Sequence, residues 1–116
     1  MEGEELMFTM MTVIRKKPEI STEDFRHFME FDYGPTYVGL PETREYIQHY
    51  LSDVMTDGAE LPIDAIVQIS FDSKVEMMKA LQADSYKKAA KMREKYMKET
   101  SVGIHSAIVE KTLKLV

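Results

Sequence analysis

Cysteine is absent from this chain of 116 residues. That excludes disulfides, thiolate nucleophiles and cysteine-based metal sites. No apolar run approaches the length of a membrane span, which takes roughly 20 residues. An excess of positive charge is also missing: the net charge is −5, whereas binding to nucleic acid needs concentrated Lys and Arg to neutralise phosphates. The Lys-rich stretch from Lys87 to Lys98 is interrupted by Glu94 and spaced as a solvated helix face. The basic start of a secretory signal is lacking too, since the chain opens Met1-Glu2-Gly3-Glu4-Glu5. A cytoplasmic location is the expectation. With no repeat, linker or low-complexity segment, residues 1–116 are expected to form one domain, large enough for a single core.

What is present reads as alternating strands and helices. Leu6 to Arg15 is a strand candidate whose two faces, Leu6-Phe8-Met10-Thr12-Ile14 and Met7-Thr9-Met11-Val13, are both apolar. Pro18 ends it. Ser21 caps a helix with Phe25, Phe28 and Met29 on one face, which is predicted to stop at Gly34-Pro35. Glu45 to Asp53 is a second strand and Asp64 to Phe71 a third. Ser73 and Glu76 form a capping box for a helix expected to turn Val75, Met78 and Leu81 inward. A break near Asp84 precedes a further helix from Tyr86 to Lys98, and Ile104 to Leu113 supplies the last strand.

The order βαββαβ, with two right-handed split crossovers, gives a ferredoxin-like α+β fold. It is a four-stranded antiparallel sheet with both helices on one face. Yet the first strand is apolar on both faces, and Ile66 sits on the second face of the third. An uncovered apolar sheet face is unusual in a monomer. A second copy packed sheet against sheet would cover it, so a homodimer is expected.

Three segments carry a resemblance that runs from Met11 to Glu110. They are Lys17-Pro18-x-Ile20-Ser21-x-Glu23-x-Phe25-Arg26, then Tyr33-Gly34-Pro35 with Leu40-Pro41 beyond it, and Tyr46-Ile47-Gln48. Together they resemble the EthD family of small dimeric α+β-barrel proteins. The resemblance implies a barrel closed by two sheets across a two-fold axis. It also implies relatives that include cofactor-free isomerases, cyclases and dehydratases. Where many relatives have His-x-Pro, this chain has Tyr33-Gly34-Pro35. A histidine titrates near neutrality, whereas a tyrosine with a reference pKa of about 10 is mainly a hydrogen-bond donor.

Six residues emerge as site candidates. Tyr33, at the end of the first helix, can donate a proton or polarise a carbonyl in a cavity between helices and sheet. His49, mid-strand, is the most plausible general base, and Gln68 and Ser70 can orient a ligand. On a helical wheel, Asp32 falls on the Phe25/Phe28/Met29 face and Arg93 on the Tyr86/Ala89/Ala90/Met97 face. Charges there need partners or line a polar pocket. No metal is expected, because His27, His49 and His105 show neither His-x-His nor His-Glu-x-x-His spacing. Haem would need an axial histidine on a helix, and His27 is predicted to face outward. The resemblance implies a small apolar, aromatic or lactone-like ligand, bound or converted by proton transfer without a cofactor, in a catabolic or polyketide-type pathway. The alternative is a non-catalytic accessory protein beside an oxidative, monooxygenase-type system. The pairing of Tyr33 with His49 requires one shared pocket, and strand alternation makes that a test of parity.

Overall fold

The computed structural model describes residues 7–52, 62–98 and 104–116. The strands β1 (Phe8–Ile14), β2 (Glu45–Tyr50), β3 (Ala65–Phe71) and β4 (His105–Ile108) form one antiparallel sheet in the order β2-β3-β1-β4. Helices α1 (Thr22–Phe28), α2 (Gly34–Val38), α3 (Lys74–Ala80) and α4 (Asp84–Tyr96) complete the described elements. Both helix starts read from serine hold: the Ser21 and Ser73 hydroxyls accept from the backbone N–H of Asp24 and Glu76. The end of α4 is tied back beside β1 by Lys17 N–H to the Tyr96 carbonyl and Lys98 N–H to the Arg15 carbonyl. Among the described residues, no helix is long and apolar enough to cross a membrane.

The sheet's covered face carries Ile14, Ala65, Val67, Ile69 and Phe71, packed against Phe25, Phe28, Met29, Ala80, Ala89 and Met97. Thr9, Met11, Val13, Ile66, Gln68 and Ser70 alternate onto the other face. In register with them stand Ile47 and His49 on β2, and His105 and Ala107 on β4. No described helix covers that face, so its Ile, Val and Met side chains lie ready for a second sheet.

The first helix does not stop at Gly34-Pro35 as predicted. It passes through a π-helical turn, Met29–Tyr33, and continues as α2 to Val38. The Gly34 N–H reaches back five residues to the Met29 carbonyl. Proline explains the turn. In a continuous α-helix the Pro35 ring would clash with the carbonyl four residues earlier, and a wider turn relieves that contact. The turn holds one residue more than an α-turn, so everything after it reaches the inner face one position late. The stripe Phe25, Phe28, Met29 therefore continues through Tyr33, Tyr37 and Leu40, all buried, while Asp32 is exposed. Asp32 is thus not on the apolar face where an ideal wheel puts it.

Two smaller differences concern α3 and the C-terminus. Met77 and Ala80 face the core, whereas Val75 and Met78 are 68% and 48% exposed. The small, fully buried Ala80 lets α3 lie close to the sheet and sets its phase; of the expected trio, Leu81 alone packs against the core. β4 ends at Ile108, and residues 111–116 stay exposed within the protomer rather than continuing the strand.

Candidate functional site

A cavity of 240 Å³ lies between the sheet and α2, α3 and α4. β1 and β3 give it an apolar wall of Met10, Ile14, Val67 and Ile69, to which Leu81 adds from the end of α3. Its polar side chains come from three places. Tyr33 and Tyr37 descend from the π-turn and α2, Tyr86 and Arg93 project from α4, and Thr12 and Ser106 sit on neighbouring strands. The spacing of Tyr86 and Arg93, seven residues apart, puts both on one face of α4. Thr12 and Ser106 hydroxyls are hydrogen-bonded at 2.8 Å towards the exposed side.

The tyrosine end is buried and ordered by aromatic contacts. Tyr33 and Tyr37 hydroxyls are 2.7 Å apart, and their rings meet edge to face with centroids at 5.2 Å. Tyr37 is stacked on Tyr46 at 5.3 Å and meets the edge of Tyr86 at 5.8 Å. Phe28 supports Tyr33 from behind and is itself stacked on Tyr96 at 4.0 Å. Such offset and edge contacts leave each ring one favoured orientation, so the hydroxyls are held in place before any ligand arrives.

Gln48 locks the turn that supplies Tyr33. Its Nε2 donates to the Met29 carbonyl at 2.9 Å, the same oxygen that receives the Gly34 N–H, and also reaches the Tyr46 hydroxyl at 3.0 Å. The Tyr50 hydroxyl in turn donates to Gln48 Oε1, and Arg26 lies over the Tyr50 ring at 5.2 Å. Gly34 is required here by close approach: a Cβ would lie 2.8 Å from Gln48 Nε2 and 2.9 Å from the Met29 oxygen.

Electrostatically the site is a donor cluster. Burial raises the Tyr33 pKa above its ordinary value, opposed by its hydrogen bond with Tyr37 and by the charge and hydrogen bonding of Arg93. Burial raises Tyr37 as well, and the adjacent Tyr33 adds to the effect. Both are therefore protonated at neutral pH. Burial works against the charge of Arg93, but the neighbouring Tyr33, Tyr86 and Tyr37 outweigh it and lift its pKa above the usual value. The guanidinium stays ionised.

The residues expected to form a site divide between the two faces. Tyr33 and Arg93 come together in the cavity. His49 does not join them. Tyr46, Gln48 and Tyr50 point to the helices, so alternation along β2 sends His49 to the opposite face, where it is exposed. The Tyr33–His49 pair therefore cannot act on one molecule within a protomer. Gln68 and Ser70 are on that same opposite face, Gln68 near Glu45 and Ser70 hydrogen-bonded to Thr9 at 2.8 Å. Asp32 lines a separate surface depression with Asp24, His27 and Lys95. Tyr37 and Tyr86 were missed. The spacing of Tyr33 and Tyr37, one helical turn apart, would have signalled a shared face had the helix been carried through Pro35.

Comparison with known proteins gives the family and fold. The EthD domain profile matches residues 17–99. No curated protein sequence matches the chain. Among solved structures it is similar to an ethyl tert-butyl ether d (EthD) family protein from Bacillus halodurans, at 15% identity and a TM-score of 0.70, covering 91% of this chain and 99% of that one. It is also similar to the hydroxynitrile lyase of Passiflora edulis, at 18% identity and a TM-score of 0.66, covering 93% and 97%. A dimeric ferredoxin-like protein of unknown function from Jannaschia matches at 14% identity and a TM-score of 0.66, covering 90% and 99%.

Proposed function

The chain belongs to the EthD domain family, and from that premise we propose that it is a homodimeric small-molecule-binding protein whose ligand enters the helix–sheet cavity. One observation carries this reading: a buried pair of tyrosine hydroxyls, 2.7 Å apart, lines a cavity of 240 Å³ that has an apolar wall of Met10, Ile14, Val67, Ile69 and Leu81. A cavity of about 150 Å³ is enough for benzene, so this one suits a single substituted ring or lactone. The apolar wall supplies affinity and the hydroxyls supply orientation. The open sheet face, with Met11, Val13, Ile47 and Ile66, packs on a second copy. A dimeric protein of similar fold supports that assembly.

Binding leads over conversion for a chemical reason. The described lining offers proton donors but no carboxylate, imidazole or amine to take a proton. The accessory role beside an oxidative pathway therefore ranks above proton-transfer catalysis. A second reading keeps one specific support. Tyr33 beside Arg93 is arranged to stabilise negative charge on a carbonyl oxygen, and a protein of similar fold is a hydroxynitrile lyase. In that reading Tyr33 is the proton donor and Arg93 the oxyanion partner.

Thermal unfolding with toluene, phenol, benzaldehyde and benzoate tests the binding reading. A ligand at 100 times its Kd stabilises by about 2.7 kcal/mol. At least one compound is expected to raise the melting temperature of the native protein. Leu81→Phe, which fills the cavity from its rim, abolishes the shift, and His49→Ala on the opposite face retains it. No shift with any of the four, or an undiminished shift in Leu81→Phe, overturns the reading.

A further inference from the structure

We infer that Tyr37 is the residue of this cavity that selects the ligand, donating its hydroxyl proton to a carbonyl oxygen on a single-ring molecule, with Tyr33 as the residue that positions that hydroxyl. The inference rests on the binding reading above and adds the donor and the chemical class that the donor selects.

A count of protons carries it. Tyr33 and Tyr37 are only 4% and 6% exposed, and their hydroxyls share one hydrogen bond of 2.7 Å. Each hydroxyl owns one proton. One of the two protons fills the shared bond, and the other must point elsewhere. Among the described residues neither hydroxyl has a second acceptor. Arg93 cannot supply one, whatever else it bonds, because a guanidinium holds donors only. Leaving a buried donor unanswered is costly. Both tyrosines line the cavity, so the acceptor has to come from whatever fills it.

The direction of the shared bond identifies the free proton. Arg93 is hydrogen-bonded to Tyr33, and since it can only donate, the Tyr33 oxygen accepts there. With one incoming bond per oxygen, the Tyr33 proton goes to Tyr37 and the Tyr37 proton is released to the cavity. The reverse order would load the Tyr33 oxygen with two incoming bonds while its own proton went unused. Each bond in such a chain polarises the next, so the cation at its start makes Tyr37 a better donor. Stacking on Tyr46 at 5.3 Å and the edge contact with Tyr86 at 5.8 Å fix the Tyr37 ring and hence the line of its hydroxyl. In the hydroxynitrile-lyase-like reading, too, Tyr33 would act through Tyr37. A carbonyl answers this donor best, because it accepts and brings no further proton that needs a partner. The ring that carries it lies on the apolar wall of Met10, Ile14, Val67, Ile69 and Leu81.

The experiment uses acetophenone and ethylbenzene, which share a ring and differ by a carbonyl in place of a methylene. Calorimetric titration gives both affinities, and infrared spectroscopy gives the carbonyl stretch of bound acetophenone. In the native protein that stretch is expected below its frequency in hexane, the signature of a hydrogen bond to the oxygen. Tyr37→Phe keeps the ring and should return the stretch towards the hexane value. It should weaken acetophenone about fivefold, the worth of one net hydrogen bond, and ethylbenzene far less. Tyr33→Phe leaves the Tyr37 proton free and should weaken acetophenone less than Tyr37→Phe does. A hexane-like stretch in the native complex overturns the inference without any variant having to fold, and the binding cavity stands. Ethylbenzene binding without acetophenone binding overturns it in the same way. Acetophenone weakened by Tyr33→Phe but not by Tyr37→Phe also overturns it, since the free proton would then be on Tyr33. If the native protein binds neither compound, the cavity reading and the inference fall together.

Discussion

Replacing Gly34 by alanine sets two well-defined effects against each other. Gly34 has φ −57° and ψ −46°, ordinary right-handed helix, so its backbone conformation does not call for glycine. At an unencumbered helical site, Ala is favoured over Gly by about 1 kcal/mol. Here the added Cβ would come within 2.8 Å of Gln48 Nε2, 2.9 Å of the Met29 oxygen and 3.4 Å of Tyr46 Cε2. Gln48 can retreat only by giving up its 2.9 Å bond to Met29, at about 1 kcal/mol. The Met29 oxygen belongs to the π-turn and has less freedom, so overpacking adds about 1–3 kcal/mol. A Cβ on the residue before Pro35 further disfavours the helical conformation. Steric terms win, and the net loss is about 1–3 kcal/mol, a melting temperature lower by about 5–10 °C. Thermal and urea unfolding of Gly34→Ala should be measured at one fixed protein concentration, because assembly contributes to apparent stability. In a Gln48→Ala background the same change should cost less, since the nearest obstacle is gone. Stabilisation by Gly34→Ala in the native background would refute the close-approach argument.

Two further outcomes follow from the fold. Tyr33, Tyr37, Tyr46 and Tyr50 all have folded-state pKa values raised by burial, Tyr50 to about 12. Their contribution to stability is thus complete below the unfolded value of about 10 and lost as pH climbs through the folded values. Tyrosinate absorbance and circular dichroism should change together in alkaline titration; ionisation of all six tyrosines near pH 10 with the fold intact would contradict the burial described. On the open face, Met11→Lys places a charge at the centre of the proposed dimer contact. Light scattering should fall from twice the chain mass to a single mass, and an unchanged dimer would move the interface elsewhere.

Much of this architecture is legible in the chain without coordinates. Strand and helix order follow from apolar periodicity and from Ser21 and Ser73, because caps and alternation are local consequences of backbone geometry. The two-sided apolar pattern of β1 likewise speaks for a second sheet. Tyr33 and Arg93 could be singled out because each is a polar residue near an apolar stripe. The tertiary structure decided what local rules cannot. Pro35 tolerates a continuing helix because the preceding π-turn widens, Gly34 admits close contact, and Gln48 on a distant strand binds the Met29 carbonyl. The π-turn that this non-local bond holds moves the inner stripe by one residue, turning Asp32 out and bringing Tyr37 in beside Tyr33. The face of His49 was equally undecided, since β2 has Tyr46, Gln48 and Tyr50 on one side and Ile47 and His49 on the other, and both sides could be buried. Packing of Tyr46 on Tyr37 chose between them. Period and composition specify which residues share a face; only the partner surface determines which face is inward.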